Sequence, residues 1–120
     1  MSTITLLACL EFKHFLADFV LQRPYQFLNK GRYGHPGGVL HASIHGVGTF
    51  LALLPLGVRQ AIVAAVIDAI VHYHIDWSKE QLVSHFNARS SSTDRFWWLL
   101  GADQMLHHLT YLVLVAYSVY

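Results

Sequence analysis

The chain has 120 residues, enough for one domain with one core. Apolar residues make up 54% and charged residues 12%, which excludes a disordered tail; a net charge of +1 with no basic run excludes a nucleic-acid clamp. The single cysteine, Cys9, excludes an internal disulfide and a cysteine-based zinc site, whereas nine histidines are far more than expected.

Four long apolar segments are predicted as helices. The first runs from Ile4 to Gln22. Its Leu6-Leu7-Ala8-Cys9 resembles a lipoprotein cleavage site, but no Lys or Arg precedes it and Glu11 and Lys13 follow at once, so the segment is read as mature protein. Arg23-Pro24 closes it, because the residue before a proline is disfavoured in a helix. Gly31, Gly34, Pro36, Gly37 and Gly38 mark a loop. The second segment, Gly38 to Leu56, contains no Asp, Glu, Lys or Arg. Pro55 and Gly57 turn the chain into the third, Val58 to Lys79. Residues Asn87 to Thr93, with their serine run, lead to the fourth, Phe96 to Tyr120. Each segment has roughly 19 to 25 residues, enough to cross a hydrocarbon layer of about 30 Å.

The flanking residues point to a bilayer. Trp77, Trp97 and Trp98 fall at segment ends that share one interface, and Tyr117 and Tyr120 fall at the other. Residues Ala61 to Ile67 and Tyr111 to Tyr117 lack the polar stripe that a soluble bundle requires. Arg23, Lys30, Arg32, Lys79, Arg89 and Arg95 lie in loops one and three, against Arg59 alone on the other side. The positive-inside rule then puts those loops in the cytoplasm and both termini on the non-cytoplasmic side. The expected fold is all-α: one four-helix transmembrane bundle over residues 1–120, antiparallel and up-down. It would be a multi-pass protein of the bacterial inner membrane, with the lipid bilayer as partner, no nucleic acid, and a homo-oligomer as a further expectation.

One spacing recurs in every segment. His14 and Asp18, His41 and His45, Asp68, His72 and Asp76, and Asp103 and His107 are each four residues apart. Four residues at about 100° each bring both members of a pair onto one helix face, one turn apart. The helices alternate in direction, yet His14, Asp18, His41, His45, His72, Asp76, Asp103 and His107 all fall roughly 4 to 17 Å from the cytoplasmic ends. Ionisable groups at such depth cost at least about 2.5 kcal/mol for an Asp and need partners. Imidazole nitrogen and carboxylate oxygen are ligands for zinc, iron or manganese. These eight residues are therefore the expected metal ligands. They exceed the needs of one ion, so the site would hold two ions, or one ion with carboxylates orienting imidazoles.

Other residues play lesser parts in this reading. Asp68 lies deeper and is expected to support the ligands. Glu11 falls on the His14 face and is equally a candidate partner for Lys13. Lys79 shares the Asp76 face and is a candidate both for snorkelling to the interface and for catalysis. His35 and His85 are placed in loops, and His74 and His108 face away from the paired histidines.

The stretches from His14 to Gln22, His41 with His45, His72 to Lys79, and Asp103 to His107 resemble a small bacterial and bacteriophage membrane-protein family catalogued only as a domain of unknown function. The resemblance covers essentially the whole chain. It implies a four-helix membrane domain in which Gln22 and Gln104 join the eight His and Asp residues and Lys79 as family-pattern positions, and it supplies no activity. A looser similarity is to inner-membrane hydrolases thought to be metal dependent.

The expected function is a membrane-embedded metal-dependent hydrolase. Its site lies near the headgroups, within reach of a phospholipid or isoprenoid phosphate, with Lys79, Arg23 or Arg95 to hold phosphate charge. A divalent-metal or proton transporter is the second expectation, weakened by an outer half with little beyond Thr5, Thr49 and Ser118 to line a pathway. A metal-stapled structural protein without turnover is the third.

Overall fold

The structure, a computed structural model, describes residues 1–120 and is entirely helical, with no strand. Four long helices carry the chain: α1 (Thr3–Phe15), α3 (Pro36–Leu53), α4 (Val58–His85) and α5 (Asp94–Val119). A short helix, α2 (Pro24–Phe27), lies in the first connection.

Local chemistry explains most helix boundaries. The Ser2 side chain accepts from the Thr5 amide and starts α1, and the Thr93 side chain does the same for α5 through the Phe96 amide. Pro24 and Pro36 occupy the first turns of α2 and α3, where a missing N–H costs nothing. A 3₁₀ turn over Leu54–Leu56 and Gly57, at φ 120°, make the tight corner into α4.

Three features depart from the sequence reading. The first segment does not stay α-helical: after Phe15 it widens into a π-helical turn over Leu16–Val20. The loop after it contains α2. The third segment continues beyond Lys79 to His85, so His85 ends a helix rather than sitting in a loop. Residues Glu80 to Ser84 contain no Pro or Gly, so nothing stops the helix where its apolar stretch ends.

The long helices form a closed ring, with α1 against α3, α3 against α4, α4 against α5, and α5 back against α1. The α3–α4 contact is the most extensive. Gly46 permits it: a Cβ there would lie 3.1 Å from both the Ala65 oxygen and the Ala69 Cβ.

The interior has two halves. Near the termini and the α3–α4 corner, Leu6, Leu10, Leu53, Ala61, Ala64, Tyr111, Leu114 and Val115 form an apolar core. Toward the α2 end the interior is polar. Of the 26 buried residues, 11 are polar or charged, so the molecule hides as many polar side chains as a soluble fold hides only by exception. Its outer faces are apolar, with Val47, Leu51, Ile62, Val66, Leu112 and Val113 all at least half exposed. By length and composition, two helices can cross a membrane: Pro36–Leu56 and Val58–His85. Glu11, Lys13 and Asp18 interrupt the first segment, and Asp103, Gln104, His107 and His108 the last.

Candidate metal centre

The four-residue spacing has the consequence that helix geometry demands. Each pair turns inward, and the closed ring brings the four polar faces to one place. Asp18 is the first junction. Its carboxylate lies 3.2 Å from His14 Nε2, 2.9 Å from His41 Nε2 and 2.8 Å from His45 Nε2. Asp76 is the second. It lies 3.2 Å from His72 Nε2, 3.5 Å from His41 Nε2 and 3.2 Å from His107 Nε2. Asp103 Oδ1 lies 3.4 Å from His107 Nε2. All eight sequence candidates therefore join one connected cluster.

The cluster is enclosed. His41, His45 and His72 have no exposed surface, while the Asp18 and Asp76 side chains are 9% and 8% exposed. Two overlapping groups within it have ligand atoms all within 4.8 Å of one another and can hold a metal ion: Asp18, His41, His45 and His72, and His72, Asp76 and His107. His72 belongs to both. Its Nδ1, like Asp103 Oδ1, is buried without a hydrogen-bond partner.

Asp18 is delivered by the π-helical turn. An α-helix would place it one turn above His14 on a fixed face. The wider turn allows the carboxylate to reach α3, where it meets His41 and His45.

Several residues at the cluster were not assigned from sequence. Gln26, buried on α2, accepts from His41 Nδ1 at 3.0 Å. Lys30 enters from the following loop and places its amine 3.0 Å from Asp76 Oδ2. Gln104, a family-pattern position, faces His14 Nε2 at 3.0 Å and donates to Asp103 at 3.0 Å. Lys13 is buried beside Asp68, Tyr111 and His45. Nothing in local spacing marks Gln26 or Lys30, which lie in a loop whose path only the fold defines. Lys13 carried a signal: it stands one residue before His14, inside an apolar segment.

Other candidates fall elsewhere. Glu11 does not pair with Lys13; residues two apart on a helix point in nearly opposite directions, and Glu11 meets His108 at 2.7 Å on the exposed flank. Asp68 pairs with Lys13 at 2.6 Å and accepts from Thr49, deeper than the cluster. Lys79 meets Glu80 at 3.3 Å and lines a groove of about 460 Å³ between α4 and α5, together with Asp103. His74 bonds Tyr33, away from the cluster.

Residues 6–120 match the family described as "Protein of unknown function (DUF3307)". The chain belongs to that family. No curated protein and no solved structure matches it. Family membership thus covers every residue of the cluster and assigns no role to any of them.

Proposed function

We propose that this chain is an integral membrane protein with a single divalent transition-metal centre, held by Asp18, His41, His72 and Asp76. Five of the six distances among His41 Nε2, His72 Nε2, Asp18 Oδ1 and Asp76 Oδ2 are 2.9, 3.2, 3.3, 3.5 and 3.9 Å. Four ligands about 2.0–2.1 Å from a tetrahedral ion are about 3.3–3.4 Å apart. This convergence of two imidazole nitrogens and two carboxylate oxygens, at separations close to those of ligands around one ion, is the observation that carries the reading.

Protonation and charge agree with it. Gln26 Oε1 takes the His41 Nδ1 proton, which leaves the Nε2 lone pair facing a carboxylate oxygen at 2.9 Å and the His72 nitrogen at 3.3 Å. Lone pairs at such separations repel unless a proton or a metal ion lies among them, and a divalent ion satisfies all of them at once. Asp18, Asp76 and Asp103 face only one ammonium here, that of Lys30. A divalent ion would offset the carboxylate charge that this ammonium leaves unbalanced. An exposed apolar exterior around a polar interior favours a bilayer, and the two spanning-length helices support it. In this reading all four long helices span the bilayer, and the loop charges favour loops one and three on the cytoplasmic side.

The activity we infer is hydrolysis of a membrane-associated phosphoester or lipid. The ligand set contains imidazoles and carboxylates but no thiolate, unlike most structural zinc sites. Zinc fits this set, as do iron and manganese. Asp18 sits on a π-helical turn, a feature frequent at functional sites, and its slight exposure allows it to yield a coordination position to water. When bound, such an ion acidifies a water and polarises a phosphoryl oxygen. Lys30 is the cation placed to meet an anionic group at this site, and Lys79 and Asp103 flank the α4–α5 groove.

The test uses purified protein in detergent. Elemental analysis is expected to find one ion per chain. Chelation is expected to abolish hydrolysis of a phosphoester and phospholipid panel, and zinc, iron or manganese to restore it. One tightly held ion with no turnover on any substrate would convert the reading to a structural staple. Metal flux into proteoliposomes would convert it to a transporter.

A further inference from the structure

Lys13 stands apart from the ligand set, yet its position decides which histidines can join that set. It lies on α1, 8% exposed, with its stem in space that Gly48 leaves open: a Cβ at position 48 would lie 3.1 Å from both Lys13 Cγ and Cδ. Its amine has three partners: Asp68 Oδ2 at 2.6 Å, His45 Nδ1 at 3.1 Å and the Tyr111 hydroxyl at 3.3 Å. An ammonium has three N–H donors and no lone pair, so all three partners accept.

Two proton positions follow. The His45 Nδ1 accepts, so the neutral ring carries its proton on Nε2, which donates to Asp18 Oδ1 at 2.8 Å. The Tyr111 oxygen accepts from Lys13, and its own proton faces His14 Nδ1 at 2.7 Å. The His14 proton therefore also sits on Nε2, facing Gln104 Oε1 at 3.0 Å and Asp18 Oδ2 at 3.2 Å.

The far end of the chain of bonds gives the same answer independently. Asp103 accepts from the Gln104 amide nitrogen at 3.0 Å, so the amide oxygen must be the atom that faces His14. An oxygen there requires an N–H on His14 Nε2. Two separate routes, from an ammonium and from a carboxylate, assign the same tautomer.

We propose that Lys13 is a positioning residue. Its ammonium fixes His45 as an Nε2–H donor to Asp18, as Gln104 and Asp103 fix His14, and so removes His45 from the ligand set. This rests on the metal-centre reading above. By proximity alone His45 belongs with Asp18, His41 and His72. The proton on its Nε2 excludes it, because a metal ligand nitrogen must present a lone pair. His45 and His14 then hold Asp18 from two sides, as outer partners hold a ligating carboxylate.

The experiment is long-range ¹H–¹⁵N correlation on metal-free, histidine-labelled protein in micelles, which reads the proton position in each ring. His45 and His14 are expected as Nε2–H tautomers and His41 as Nδ1–H. In Lys13→Met, His45 is expected to lose that preference, while His14, still held through Gln104 and Asp103, and His41 keep theirs. If that variant does not fold, Lys13→Met with Asp68→Leu removes both charges and gives the same comparison. An Nδ1–H tautomer for His45 in the unaltered protein overturns the proposal, as does an unchanged His45 tautomer after Lys13 is removed. A zinc titration supplies the second arm. His45→Gln is expected to keep one ion per chain with affinity reduced about 10- to 100-fold, whereas His72→Ala keeps none. No ion in His45→Gln at saturating zinc also overturns it. If the unaltered protein binds no metal at all, the centre itself fails, and the tautomer arm still decides the role of Lys13.

Discussion

The two halves of the interior are built from the same four helices and held together differently. In the half near the termini, Leu6, Leu10, Leu53 and Leu114 interlock with Ala61 and Ala64. In the half near α2, Asp18 and Asp76 gather imidazoles from four helices and an amine from a loop. Leucine packing tolerates modest shifts of one helix against another. The polar half tolerates few, because each hydrogen bond fails within a fraction of an ångström or a small rotation. Shape holds one half, and the placement of protons and charges holds the other. Lys13 and Asp68 sit at the boundary, where the polar network meets the apolar core.

The sharpest way to break this contrast is to remove a ligand. His41→Ala, His72→Ala or Asp76→Ala is expected to reduce bound metal from about one ion per chain to background by elemental analysis. Chelating the unaltered protein should act on the same half. Amides around His41–His45 and His72–Asp76 are expected to lose hydrogen-exchange protection, and those around Tyr111–Val115 to keep it. At metal concentrations 100 to 1,000 times Kd, the lost linkage is about 3–4 kcal/mol.

The boundary pair tests what joins the halves. Asp68→Asn leaves the Lys13 ammonium buried without its counter-charge and is expected to destabilise the bundle by about 3–5 kcal/mol. Lys13→Met with Asp68→Leu should recover most of that loss. Recovery would be read from denaturation in mixed micelles, and a double variant no better than Asp68→Asn would deny the pair its role.

A change confined to the apolar half should leave the metal alone. Leu10→Ala opens a cavity in a fully buried position and is expected to cost about 2 kcal/mol. Metal content should remain at one ion per chain, and a fall would mean that the halves are not separable. Gln26→Leu is the mildest change. It frees the His41 ring to reorient, and zinc affinity is expected to drop about tenfold or somewhat more, without loss of the ion at saturation.

Much of this site was legible in the chain itself. Helix periodicity is a local property, so His14 with Asp18, or Asp103 with His107, must share a face wherever a helix forms. The eight clustered residues, the four long helices and the corner at Pro55 and Gly57 all follow from such local rules. Glu11 shows the limit of sequence adjacency, since its neighbour Lys13 points the other way and its partner is 97 positions along.

Residue spacing alone therefore determined which side chains turn inward and roughly at what level of the bundle they meet. Only the tertiary structure decided which nitrogen of each imidazole faces which neighbour. It also decided that Asp18 leaves α-helical register, that Lys30 and Gln26 reach in from the first connection, and that Lys13 meets a carboxylate 55 residues away. The physical reason is that hydrogen bonding depends on distances good to a few tenths of an ångström. Those distances are set by the rotation and axial offset of each helix against the others, which the packing of the whole bundle fixes.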